Sequence, residues 1–207
     1  MDFPNQHFYG GLLQTLGQEK PDAAHYQHQS LCYDVHGLGP DFEKIFTEKR
    51  VVFLPVEPEE SLPNQKTNRA EAELSVRIVL FFKKLWETNG KPWHPAKTLG
   101  IITPWRAQIA QLRASLADAG LDPDEITIDT VERYQGGARD VIVISTCANS
   151  EMQLASLVNI SSEGVDRKLN VALTRAREHL IVMGNVEILQ KDERYRAFIE
   201  QYQIPSE

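Results

Sequence analysis

From Val51 onward, short apolar runs alternate with longer segments whose apolar residues recur at helical spacing. That alternation constrains the fold more than any other feature of the chain. VVFLPV, TLGIIT, Ile126–Thr130, Val141–Cys147 and the IVMG run ending at Gly184 have the length and β-branched content of strands. Asn68, with Glu71 three residues on, has the form of a capping box and predicts a helix over Arg69–Glu87. Leu74, Ile78, Phe81 and Leu85 form its buried stripe. Thr103 and Pro104 predict a cap and first helical position for a second helix, with Ile109, Leu112 and Leu116 inward and Gly120 at its end. A polar loop then runs through Gly164. RKLNVALTRAREHLIVMGN (Arg167–Asn185) reads as a helix feeding a buried strand, with Leu169, Ala172, Leu173, Ala176 and Leu180 as its apolar stripe. Arg175 and Arg177 fall on the flanks of that predicted helix, roughly 80° from the middle of its polar face. A last amphipathic helix is predicted near Leu189–Tyr202. Strands alternating with helices specify βαβ units, hence an α/β domain whose central, mainly parallel sheet is flanked by helices.

Residues 1–50, with their aromatics, Pro4 and Gly10-Gly11, are predicted to be ordered but irregular, ahead of an α/β core over 51–207. So abrupt and apolar a beginning suggests a piece of a larger protein. The 207 residues, 42% hydrophobic and 25% charged, suit one soluble globular domain with a sizeable core. A net charge of -7 argues against a dedicated nucleic-acid binder, although a local basic strip remains compatible with it. Cys32 and Cys147 lack metal-ligand spacing and read as free buried thiols of a reducing compartment. With neither a signal peptide nor a membrane-spanning run, the expected setting is cytoplasmic and away from membranes. His25, His28 and His36 match no ligand spacing and read as surface histidines, so no metal site is predicted.

Ligands of parallel α/β sheets bind beyond the carboxyl ends of the strands. ITPWRAQ, DTVERYQGG and the loop before Arg167 are therefore expected to share one rim. A self-sufficient catalytic centre is missing from the sequence. There is no G-x-x-x-x-G-K-[ST] phosphate cradle and no G-x-S-x-G elbow. Asp124-Glu125 and Asp192-Glu193 do not follow the apolar strand that would hold a magnesium-binding aspartate, and read as solvated turns.

Three segments in order carry a specific resemblance. GIITPWRAQIAQLR (Gly100–Arg113) is similar to motif IV, TVERYQGGARDVIVIS (Thr130–Ser145) to motif V, and Arg167–Asn185 to motif VI of superfamily-1 helicases of the nonsense-decay and DNA-replication branch. KTNRAEAEL and FPNQHFYGGLLQ also fit segments that the family places earlier. The resemblance spans nearly the whole chain and implies the second, C-terminal RecA-like domain, a three-layer α/β unit. The first RecA-like domain, with its P-loop and Walker B acids, is absent from this chain. In that reading ATP and Mg²⁺ are held mainly by the missing domain of the same polypeptide, and single-stranded DNA or RNA is the other partner. The isolated chain is expected to be inactive as an ATPase, and the intact protein to be a monomeric motor travelling 5′ to 3′.

Carried over residue by residue, the resemblance makes Arg175 the arginine finger and places Gln135, Gly136 and Arg177 near the nucleotide. It places Thr103, Pro104, Trp105, Arg106, Thr130 and Val131 along the single strand. Alternatives stand beside several of these. Arg175 has a second reading as a surface cation paired with Glu178, and Arg177 as a structural residue. Arg167 is read either as a phosphate contact or as the partner of Glu163. Trp105 either stacks on a base or packs. The sequence also departs from the family, since Gly137-Ala138 stand where relatives carry charge, often a glutamate facing the nucleotide. Glu132 is read as a substitute, and Asp140 as a strand-entry residue with Arg139 or Lys168 as its partner. The runner-up reading is a non-catalytic binding module that keeps the helicase-domain fold.

Overall fold

The computed structural model of the chain describes residues 2–12, 33–38, 40–57, 65–134, 137–158 and 166–204. Five strands, β1 (Val51–Pro55), β2 (Leu99–Ile102), β3 (Thr127–Asp129), β4 (Arg139–Ser145) and β5 (Ala176–Gly184), form one sheet in the order β1-β5-β4-β2-β3. Every pairing is parallel. Side chains alternate between its faces with period two. Val52, Leu54, Leu99, Ile101, Val141, Val143, Ile181 and Met183 join one core cluster, while Phe53, Ile102, Ile142, Ile144, Leu180 and Val182 join the other. Both faces are apolar because both are covered. Helices α2 (Pro40–Glu48), α3 (Arg69–Thr88) and α4 (Arg106–Asp118) lie over the first face. On the second lie α1 (Asp2–Phe8), α5 (Glu151–Leu157), α6 (Arg167–Leu173), α7 (Val186–Leu189) and α8 (Glu193–Tyr202). This is the three-layer arrangement of a RecA-like domain. Among the described residues no helix is long and apolar enough to cross a membrane.

The structure corrects several local expectations. The helix expected to carry both motif VI arginines ends at Leu173, with Thr174 as its C-cap. β5 begins at Ala176, so Arg175 lies in the junction and Arg177 on the strand. Backbone pairing decides this. Arg139 N–H donates to the Arg175 carbonyl, and β4 pairs with β5 from Arg139↔Ala176 to Ser145↔Met183. A helix continued to Leu180 would leave that flank of β4 without partners, and buried backbone groups are rarely left so. Helix propensities differ by well under ~1 kcal/mol per ordinary residue, too little to oppose a ladder.

Helix α4 starts at Arg106 rather than Pro104. Thr103 N–H still donates to the Asp129 carbonyl, so Thr103 belongs to the sheet, and Trp105 occupies the cap position without a side-chain cap bond. Fully buried Gln108 takes an inward position while Ile109 is only half-buried. The predicted polar loop before Gly164 contains α5, capped by Ser150. The expected final helix is two, because the Asp192 side chain accepts from the N–H groups of Arg194 and Tyr195 and opens α8 afresh. Residues 1–50, expected to be irregular, contain α1 and α2. Phe3 and Phe46 are buried there, one on each face of the sheet.

Candidate nucleic-acid and nucleotide interfaces

The segments after β2 and β3 and the start of α6, expected on one rim, do meet at the carboxyl end of the sheet, whereas Arg175 and Arg177 lie at its amino end. At the carboxyl end, Thr103 and Pro104 after β2, Val131 after β3, and Lys168, Leu169 and Ala172 of α6 line a narrow cleft of about 40 Å³. Its walls are mainly apolar, supplied also by Ile102, Ile144, Leu157 and Tyr195. The Thr103 hydroxyl is buried and has no hydrogen-bond partner among the described residues. Lys168 reaches Glu132 at 2.9 Å at the same cleft, and its hydrogen bond holds the Glu132 carboxyl below the usual range. Thr130 is half-buried, and its carbonyl accepts from the N–H groups of Arg133 and Tyr134. Arg106 is exposed on the first turn of α4.

Tyr134 closes the turn after β3. Its ring is buried and its hydroxyl stands over Gly100 in β2, where a side-chain methyl would overlap it. Glycine is required there by close approach. Arg139 stacks over the same ring and donates to the Thr127 hydroxyl at 3.2 Å.

Behind the cleft lies a polar network that the sequence reading missed. Glu71, in the first turn of α3, is fully buried. Its N–H donates to the Asn68 side chain, as a capping box requires, but its carboxylate does not return to Asn68. It accepts instead from the Ser145 hydroxyl at 2.6 Å and from Cys147 N–H at 3.0 and 3.1 Å. Burial raises its pKa to about 7 against the lowering effect of both bonds. Gln108 closes the ring, donating to the Asn68 carbonyl and to Ser145 and accepting from Asn68 N–H. The capping-box pattern pointed to Glu71, but nothing in the sequence signalled its partners. Cys147 is a buried thiol pushed well up by burial and then by Glu71, and it holds a φ of 45°. Its carbonyl accepts from Trp105 Nε1 at 3.1 Å, and Lys66 lies 4.9 Å above the half-buried indole ring.

Arg175 and Arg177 sit at the opposite, amino end of β4 and β5. β5 has nine residues, so its ends are roughly 26 Å apart at about 3.3 Å per residue. Arg175 and Arg177 therefore form a second site, apart from the rim at the carboxyl end. Arg175 is half-buried, its Nε donates to the Val171 carbonyl at 3.2 Å, and no carboxylate among the described residues pairs with it. Its alternative partner, Glu178, is taken by Lys91 at 2.6 Å and by the Tyr33 hydroxyl at 2.8 Å. Burial would raise the Glu178 carboxyl, yet these bonds leave it lowered. Arg177 is exposed and reaches Asp140 at 3.4 Å; Asp140 stands at the entry of β4 as expected, and its ion-pair partner is Arg177 rather than Arg139 or Lys168. Gln135, Gly136, Glu163, His25, His28 and Cys32 lie outside the described residues, as does the side chain of Arg167. Among the described residues no three His, Cys, Asp or Glu side chains converge as a metal site needs.

The chain matches a family model described as an AAA domain over residues 1–187. It is 28% identical to the putative helicase MOV-10 of Gallus gallus over 207 residues, covering 95% of this chain and 20% of that protein. With the regulator of nonsense transcripts 1 homolog of Drosophila melanogaster it shares 30% over 207 residues, 97% of this chain and 15% of the relative. With the DNA polymerase alpha-associated DNA helicase A of Saccharomyces cerevisiae it shares 37% over 98 residues, 47% of this chain and 13% of the relative. The chain thus spans about a fifth or less of the length of these relatives.

Proposed function

The chain belongs to this AAA-domain family and is homologous to superfamily-1 helicases, and on that premise we propose that it is the C-terminal motor half of an ATP-dependent helicase. The observation that carries the proposal is Arg175. Its Nε is tied to the Val171 carbonyl at the α6–β5 junction, and no carboxylate among the described residues neutralises it. A guanidinium fixed in this way supplies charge to phosphate oxygens without reorganising. The donor set fits half of a nucleotide site. Cations are present at the amino end, whereas the described residues offer neither a phosphate cradle nor a carboxylate cluster for Mg²⁺. A P-loop domain of the same polypeptide supplies both in this reading, and isolated, the chain hydrolyses no ATP.

Bound ATP with Mg²⁺ supplies the phosphoanhydride cleavage that powers such a motor. Arg175 meets the charge that develops on the transferred phosphoryl group, and Arg177 contributes a second cation once it leaves Asp140. Thr103, Pro104, Trp105, Arg106, Thr130 and Val131 grip a single strand at the carboxyl end. Opening and closing of the two halves then moves that strand. Glu132 is engaged by Lys168 beside the cleft, which argues against its replacing the acid that Gly137-Ala138 lack.

The test is Arg175→Ala in the polypeptide that joins this chain to its P-loop half. An arginine finger is worth roughly 10³–10⁵ in rate, so ATPase should fall by at least about 10³ while single-strand affinity stays within about twofold. ATPase near the wild-type rate overturns the assignment. Gly137-Ala138 favour a second reading, a non-catalytic binding module, which predicts no strand-stimulated ATPase in the intact polypeptide at all.

A further inference from the structure

We propose that Glu71 is a positioning residue for the single-strand face: through the backbone of Cys147 it fixes where the Trp105 indole stands. The inference rests on the reading of Trp105 as a strand contact and adds to it a residue on another helix. The connection is continuous. Both carboxylate oxygens of Glu71 lie within 3.1 Å of Cys147 N, and the carbonyl of the same residue accepts from Trp105 Nε1 at 3.1 Å. One peptide segment therefore transmits the position of a carboxylate on α3 to an aromatic at the start of α4.

The conformation of that segment explains why an acid stands there. Cys147 has a φ of 45°, the left-handed region that a non-glycine residue seldom adopts. Its N–H and carbonyl are both engaged, one by Glu71 and one by Trp105, and those bonds hold it there. The carboxylate is itself held by the Ser145 hydroxyl, which Gln108 orients. Among the described residues no Lys, Arg or His side chain pairs with Glu71, and its perturbation comes from burial, Ser145 and Cys147 alone. A buried acid without a counter-ion is a costly way to stabilise a fold. Its return here is geometric. Lys66 lies over the half-buried indole, so the fixed ring carries a base-sized aromatic surface beside a solvent-exposed cation. That pairing suits a nucleotide, which presents a π-face and a phosphate together.

The experiment uses the ¹⁵N-labelled chain and follows the indole N–H resonances of Trp86, Trp93 and Trp105, assigned with Trp105→Phe, during titration with oligothymidylate. Glu71→Ala should displace the Trp105 resonance selectively and weaken binding by roughly three- to tenfold, a fraction of what a stacked base contributes. Glu71→Gln keeps an acceptor for Cys147 N–H and should restore the resonance, with binding within about twofold of wild type. If Glu71→Ala does not fold, Glu71→Asp keeps the charge, withdraws it by one methylene, and should show the same selective displacement. An unmoved Trp105 resonance in whichever of the two folds overturns the positioning role, even where Trp105→Ala weakens binding. If Trp105→Ala leaves binding unchanged, the reading of Trp105 as a strand contact fails instead.

Discussion

At the carboxyl end of β4 a carboxylate, a serine, a glutamine and a backbone N–H close a buried network that contains no cation. At the amino end of β4 and β5, charges of both signs meet within reach of solvent: Lys91 with Glu178, and Arg177 with Asp140. The difference teaches what each end can do. A desolvated network without a counter-ion fixes geometry, because any displacement leaves a polar group unpaired in a low dielectric. Part-exposed ion pairs are worth little and exchange partners readily, which suits groups that must reach towards a ligand held elsewhere. The proposed division of labour follows this contrast, with strand contacts beside the buried network and, at the other end, a fixed Arg175 next to Arg177, which can change partners.

The largest effect should come from separating the two ends. Arg175→Ala is expected to remove about 10³ or more of ATPase in the intact motor. Trp105→Ala should leave turnover at saturating strand within a few-fold and raise the strand concentration needed for half-maximal stimulation. Steady-state ATPase titrated with oligonucleotide reads both numbers at once, and equal losses in both variants would merge the two sites into one.

Stability against pH sharpens the same contrast. Glu71 has its folded pKa raised from 4.5 to about 7, so the folded state binds more protons than the unfolded one between those values. Its contribution is fully present below pH 4.5 and is lost as pH rises through 7, at most about 3 kcal/mol in all. His179 is buried in β5 with its ring Nε2 against the Phe46 carbonyl, and its pKa is lowered by burial from 6.5 to about 4. That contribution has the opposite sign, present above pH 6.5 and lost as pH falls through 4. In the wild type the two slopes oppose each other between about pH 4.5 and 6.5. Urea unfolding across that range should show a steeper acid loss in Glu71→Gln, and a shallower one in His179→Gln, which keeps an N–H donor for Phe46. Parallel curves for wild type and Glu71→Gln would mean that Glu71 does not titrate in this window.

Next in size are the glycines of close approach. An alanine at Gly100 would overlap the Tyr134 hydroxyl, and one at Gly184 would crowd the Thr146 hydroxyl and Leu189. Overpacking of this kind costs about 1–3 kcal/mol, and the midpoint of thermal unfolding should fall by several degrees. The smallest change is expected for Lys84→Ala. It breaks an exposed i,i+3 pair with Glu87 and should alter unfolding free energy by no more than about 0.5 kcal/mol.

Much of this architecture was legible in the sequence. The five predicted strands became the strands of the sheet; the inner ones are continuous apolar runs because a sheet covered on both faces buries them, whereas edge strand β3 is half-buried and carries Asp129. Asn68 did cap α3, since the side chain that caps and the N–H it serves are three residues apart. Legibility failed where the deciding contact was distant in sequence. The helical spacing from Leu169 to Leu180 is real, but β4 takes the second half of that segment as a strand and moves Arg175 and Arg177 off the helix. Thr103 has the chemistry of a cap, yet Asp129 holds its N–H in the sheet. Trp105, open between stacking and packing, donates through Nε1 to the Cys147 carbonyl, and its half-buried ring lies under Lys66.

The sequence alone determined that the chain is a parallel α/β unit and which superfamily it resembles, because period-two and period-3.6 patterns and short motifs are local properties of a chain. Which end of the sheet each motif occupies was decided by tertiary structure, through the register of β4 against β5. The burial of Glu71 was decided in the same way, by three segments from distant parts of the chain that converge at the end of β4. Hydrogen bonds between such segments depend on positions in space that no local pattern encodes.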